Sequence, residues 1–129
     1  MDRVSLEKRL RELSIYSTFY LRRELKPLAQ LLQEAEQLNC IITGVHEGNR
    51  KLVAVTDRRI IILFAGALGS GEVKVIRRSA VRDPWFEKKL FFSEAGFATD
   101  SEVFTFTNTQ GSLRELYEWA MGRPIPDGA

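Results

Sequence analysis

His46 is the only histidine of the chain and Cys40 the only cysteine, six positions apart in what reads as one strand. Side chains at that even spacing project to the same face. A metal centre built on them would need further donors, and the sequence around them lacks the clustering of Cys, His and carboxylates that such centres show. Cys40 therefore reads as a small core residue and His46 as a surface strand residue. A serine or cysteine nucleophile would need a base in reach, and neither Ser17, Ser79 nor Ser93 stands in a motif that supplies one.

Paired carboxylates are the next source of acid-base chemistry. Glu34 with Glu36, and Glu115 with Glu118, fall on predicted helices among amides and basic residues, with no partner in view to shift a carboxyl pKa. They read as solvated helix faces. The segment Gly66-Ala67-Leu68-Gly69-Ser70-Gly71 follows an apolar run, as a phosphate loop would. It has neither the G-x-G-x-x-G order nor a Gly-Lys-Ser/Thr ending, and it leads into the strand-like Glu72-Val73-Lys74-Val75. It reads as an inter-strand loop. No reaction centre assembles, so the expectation is a binding module and not an enzyme, with no cofactor and no metal.

Binding chemistry is better represented. Between Lys74 and Lys89 stand Lys74, Arg77, Arg78, Arg82, Lys88 and Lys89 against Glu72, Asp83 and Glu87. Asp83-Pro84 breaks the chain there and places Trp85 and Phe86 in a loop, flanked by Arg82 and Lys88, the mix of aromatic and cationic residues that interface centres favour. A second contact surface is the N-terminal segment, where Tyr16, Phe19 and Tyr20 crowd one stretch with apolar area that must be covered by the chain's own sheet or by a second copy. An alternative set, Arg50, Lys51 and Arg58, would hold anionic lipid headgroups while Trp85 or Phe86 dips into the interface. Nucleic acid is disfavoured, because 19 Lys plus Arg against 17 Asp plus Glu leave a net charge of +2 and no long basic track. The expected partner is an unidentified protein, with homo-oligomerisation through the N-terminal helix and an anionic membrane surface as further options.

The rest of the sequence must position these residues. At 129 residues and 44% hydrophobic composition the chain suits one domain. A lone cysteine forms no internal disulfide and no signal-like apolar start is seen, which points to a cytoplasmic location, with peripheral attachment to a membrane left open. The longest apolar run, Ile60 to Ala67, is far short of the roughly 20 residues that span a bilayer.

From Val4 to Leu25 the residues Leu6, Leu10, Leu13, Tyr16 and Tyr20 recur at helical steps, with Ser5 as N-cap. Pro27 is expected to open a second helix carrying Leu28, Leu31, Leu32, Ala35 and Leu38 on one face. Residues 1–38 thus form a helical extension. Strand character follows: Ile41 to Glu47 and Leu52 to Thr56 around the turn Gly48-Asn49-Arg50, then Arg59 to Phe64, Glu72 to Arg78, Leu90 to Ser93, Gly96 to Thr99 and Glu102 to Thr107. The unbroken run Ile60-Ile61-Ile62-Leu63-Phe64 predicts a strand covered on both faces. Ser112 caps a last helix with Glu115 at the capping-box position, Gly122 and Pro124 stop it, and residues 123–129 form a flexible tail.

The strand order with one C-terminal helix, and above all Leu52-Val53-Ala54-Val55-Thr56-Asp57-Arg58-Arg59-Ile60-Ile61-Ile62-Leu63-Phe64, resembles the bacterial pleckstrin-homology (PH-like) domains, which share their superfold with GRAM domains. Thr56-Asp57-Arg58-Arg59 is the diagnostic part, since Thr and Asp satisfy backbone donors in a tight turn before an apolar strand. The resemblance implies a mainly β protein: a bent antiparallel sheet of about seven strands forming a partly open barrel over residues 39–122, with the C-terminal helix as its cap. It also implies a scaffold that binds proteins or lipid headgroups, often as an oligomer. The region matching the headgroup-binding hairpin is Val45 to Lys51, which offers Arg50 and Lys51 but also Glu47.

Overall fold

The computed structural model describes residues 3–12, 22–65, 71–88, 90–91, 93–111 and 118. Among the described residues seven strands form one open antiparallel sheet: β1 Leu38–His46, β2 Asn49–Thr56, β3 Arg59–Ala65, β4 Gly71–Arg77, β5 Arg82–Lys88, β6 Ser93–Ala98 and β7 Val103–Gly111. Their spatial order is β4-β3-β2-β1-β7-β6-β5. Helices α1 Arg3–Glu12 and α2 Arg22–Leu31 precede them. The expected helix over 112–121 and the tail over 123–129 lie outside the described residues.

Strand alternation divides the core in two. On one face of β1 to β3, Ile41, Leu52, Ala54, Ile61 and Leu63 pack against Leu6 of α1 and Leu28 of α2. On the other face, Cys40, Ile42, Val53, Ile60 and Ile62 meet Phe97, Phe104 and Phe106 of β6 and β7. This two-sided burial explains why β3 shows no polar alternation. Ile76 of β4 joins the same phenylalanines, and the Lys74 ammonium lies 5.2 Å from the Phe104 ring centre. The sheet therefore curls until its β4 margin meets the β6–β7 region.

Local geometry departs from expectation in several places. Pro27 lies inside α2, which already starts at Arg22, and Ser5 lies inside α1. Pro27 removes one intrahelical donor, but Leu28, Ala29 and Leu32 are buried in the first core cluster and hold the segment in place. The helix stops at Leu31, short of Leu38, because the Glu36 N–H turns back to the Gln33 carbonyl at 3.1 Å and Ala35 takes a left-handed φ of 63°. The first hairpin turns at Glu47-Gly48, with φ of 52° and 80°, and not at Gly48-Asn49-Arg50, so His46 pairs with Asn49. Two successive positive φ values give the tight turn whose twist matches the flanking strands.

The largest correction concerns residues 82–93. Asp83-Pro84-Trp85-Phe86 is part of strand β5, while Leu90 and Phe91 are bends outside any strand. β5 ends the sheet order, where a proline's missing N–H is tolerated, and Asp83, at φ 49°, lies where the β5–β6 register shifts between Arg82 and Trp85.

Candidate functional site

The Thr56-Asp57-Arg58-Arg59 turn is built as a clamp. Thr56 Oγ1 accepts the N–H groups of Arg58 and Arg59 at 3.1 and 3.0 Å and donates its own hydrogen to Glu36 Oε2 at 2.7 Å. Asp57 Oδ1 accepts the Gln37 N–H at 2.9 Å, and the Asp57 N–H returns to the Gln37 carbonyl at 3.0 Å. Glu36 Oε1 accepts the Gln33 N–H at 3.0 Å. The turn is thereby tied to the segment between α2 and β1.

Glu36 has a fully buried side chain, which corrects its reading as part of a solvated helix face. Burial pushes its carboxyl up, but hydrogen bonds from Arg59, the Gln33 N–H and Thr56, with the Arg59 charge, outweigh that and lower the pKa from 4.5 to about 2. The same contact raises the Arg59 guanidinium, its burial opposing.

At the β1–β2 end of the sheet a cavity of about 320 Å³ is lined by residues that include His46, Lys51, Phe64, Lys74, Glu102 and Phe104. The Lys51 side chain is 7% exposed, and its ammonium lies 4.0 Å from Glu47 and 3.7 Å from Glu72, both beyond hydrogen-bond length. Lys74 pairs with Glu102. His46 is not a surface residue: its ring packs on Phe104 and Phe106 with centroids 5.6 and 5.2 Å away, and its Nδ1 lies 3.1 Å from the Thr105 carbonyl oxygen. Cys40 is buried in the core. Among the described residues no three His, Cys, Asp or Glu side chains cluster to hold a metal ion.

The residues of the headgroup set are not brought together. Arg50 and Lys51 are consecutive in β2 and so face opposite sides. Arg50 donates to Thr43 Oγ1 at 3.2 Å and to the Asn108 carbonyl at 3.3 Å. Arg58 lies past the other end of β2, about 20 Å away by strand rise, with its Nη1 on Gln33 Oε1 at 3.3 Å.

The aromatic set fares differently. Arg82, Trp85, Phe86 and Lys88 all fall on β5. Arg82 is engaged, its Nε donating to Asp100 Oδ1 at 2.6 Å. Trp85 is half-buried and lies opposite Gly96, where a Cβ would come within 2.3 Å of the indole and of the Phe104 carbonyl oxygen. Trp85 thus covers β6, whereas Phe86 is 43% exposed. Just beyond β5, Leu90 and Phe91 are 87% and 89% exposed, a pair that the expected strand had concealed. Their signal was the run Lys88-Lys89-Leu90-Phe91-Phe92, apolar residues in succession behind two lysines. Tyr16, Phe19 and Tyr20 lie outside the described residues. No helix among the described residues is long and apolar enough to cross a membrane.

Neither a curated protein nor a solved structure matches the chain. The family model for the bacterial PH domain matches residues 32–120, a stretch that takes in all seven strands and the clamp from Glu36 to Arg59. On that match the chain belongs to the bacterial PH-domain family.

Proposed function

We propose that this chain is a non-catalytic PH-like module that acts through protein contacts, with its docking surface on β5 and the turn after it. The observation that carries the reading is the exposure of Phe86, Leu90 and Phe91 around one short segment. Large apolar side chains this exposed and this close in sequence mark interaction sites, and Lys88 and Glu87 supply the charged rim that such a patch uses for selectivity. Modules of this family are generally binders and not catalysts.

The membrane alternative rests on one feature of the same segment, Lys88 beside Leu90 and Phe91, which suits an anionic interface as well as a protein groove. One pair of experiments separates the two. Binders selected from a displayed protein library are mapped by amide shifts, and vesicles with and without phosphatidylserine are co-sedimented, each with the wild-type chain and with Leu90→Ser plus Phe91→Ser. Selected binders that perturb β5 and are lost in the variant support protein contact. Serine-sensitive vesicle binding with no selected binder at β5 replaces it with the membrane reading, and binding indifferent to the variant rejects the site.

A further inference from the structure

At the opposite end of β3 and β4 from the Lys51 cavity, the sheet carries further arginines beside Arg59, the one that the Glu36 clamp uses. Arg59 and Arg77 are directly opposed across the β3–β4 ladder, and the ladder continues one residue outward through the Arg78 N–H, which donates to the Arg58 carbonyl at 3.1 Å. Four arginines are thereby gathered at one strand end. Like charges placed opposite each other in a sheet are destabilising unless something neutralises them.

Among the described residues, neutralisation is incomplete at Arg58 and Arg77. Glu36 matches Arg59 through two hydrogen bonds, at 2.7 and 2.8 Å. Asp57 approaches Arg58 only to 3.8 Å. Arg77 is exposed, and its side chain has no hydrogen bond or ion pair with another described residue. The arginines wall an open hollow of about 730 Å³, completed by Gln33, Val75 and Ser79, and none of the described residues lining it is acidic. Arg59 is fixed by Glu36 and the Leu31 carbonyl, so the wall is pre-set, while Arg58 and Arg77 reach solvent.

We infer that this hollow between the β2–β3 turn and the end of β4 is a binding site for a phosphate-class oxyanion. Guanidinium groups present paired N–H donors that match two oxygens of one phosphate, and several converging on one concave surface focus a positive potential that a single exposed arginine lacks. Gln33 and the Ser79 hydroxyl add neutral polar groups at the rim. The site is separate from the β1–β2 hairpin and its cavity, and it does not depend on the Phe86 surface. The chemistry recognised is the same for a free oxyanion and for one borne on a lipid headgroup.

The test uses the full chain with two probes, inorganic pyrophosphate and phosphatidylcholine vesicles with or without phosphatidylserine, read by calorimetry and by backbone amide shifts. Saturable pyrophosphate binding that shifts Arg77, Arg78 and Ser79 is expected, weakened at least about tenfold in Arg58→Ala plus Arg77→Ala and several-fold in Arg77→Lys, with Arg50→Ala unchanged. Vesicle binding that requires phosphatidylserine and is displaced by pyrophosphate would assign the site to headgroups; pyrophosphate binding without vesicle binding would assign it to a soluble anion. Either supports the site. Absence of saturable binding to both probes, shifts centred on His46 and Lys51, or affinity unchanged in the double variant overturns it. A thermal melt of each variant shows whether the fold survives, and if the double variant unfolds, Arg77→Lys and the wild-type shift map still decide.

Discussion

Arg59 meets Glu36 edge-on with two parallel hydrogen bonds, Nε to Oε2 at 2.7 Å and Nη2 to Oε1 at 2.8 Å, while a third bond from Nη2 reaches the Leu31 carbonyl at 2.6 Å. The pair joins the first residue of β3 to the segment that leads from α2 into β1, so it couples two parts of the chain 23 positions apart. Removing one partner strands a buried charge. Glu36→Ala and Arg59→Ala should each cost about 3–5 kcal/mol, and the double variant far less than their sum. Urea unfolding of all four proteins measures this, and additive losses would show that the pair is not an energetic unit.

The same carboxylate sets an acid limit. Its folded pKa is about 2 against an ordinary 4.5, so the ionised form is favoured in the folded state. The contribution is complete above pH 4.5 and is lost as pH falls toward 2, since a proton then binds the unfolded chain more readily. It amounts to something on the order of 3 kcal/mol. Stability measured across that window should slope upward with pH, and Glu36→Gln should flatten the slope. A variant with the wild-type slope would move the acid sensitivity to other carboxylates.

Gly96 should tolerate no side chain. Its missing Cβ is where the Trp85 indole and the Phe104 carbonyl oxygen both lie, at 2.3 Å from the ideal position, and the carbonyl belongs to β7 and cannot swing aside. Gly96→Ala is expected to lose about 1–3 kcal/mol. It should also displace the indole, seen as a shift in the Trp85 Nε1–H resonance, assigned with Trp85→Phe. An unshifted resonance at wild-type stability would contradict the packing.

Much of this architecture was legible. The change from helical to strand period near Leu38, the two-sided burial of Ile60 to Leu63 and the Thr-Asp turn all follow from side-chain types, because burial pattern and turn chemistry are local properties, whereas Phe64 is only half-buried and lines the Lys51 cavity. What failed depends on contacts distant in sequence. Glu36 looked like one more helical carboxylate because Arg59 is 23 residues away. Asp83-Pro84 looked like a break because only the sheet order shows that β5 lies at a margin, where proline is harmless. Leu90 and Phe91 are hidden in the sequence for the reverse reason: apolar residues in succession read as strand, and only the structure shows them exposed.

The ladder phase of β4 yields a paired proline experiment. Since the Arg78 N–H bonds the Arg58 carbonyl, antiparallel alternation assigns the backbone groups of Glu72, Lys74 and Ile76 to β3 and turns those of Val73, Val75 and Arg77 away from the sheet. Proline at an outward-facing position removes no ladder bond, whereas at an inward-facing one it removes one and forces the strands apart. Val75→Pro should therefore cost distinctly less than Lys74→Pro, for which about 3 kcal/mol or more is expected. A larger loss for Val75→Pro than for Lys74→Pro in urea unfolding would show that the ladder runs in the other phase.

Lys51 separates a structural from a ligand-facing role for the hairpin cavity. Its ammonium has only carboxylates at 3.7 and 4.0 Å, on side chains that are themselves exposed, so the ion pairs add little, while its stem is buried among apolar neighbours. Lys51→Met keeps the stem's volume and removes a nearly buried charge. The expected result is a melting temperature unchanged or raised, because the desolvation cost of the ammonium disappears with it. A loss of about 2 kcal/mol or more would mean that Glu47 and Glu72 close on Lys51 in solution and that the charge helps hold the β2–β4 end of the sheet together.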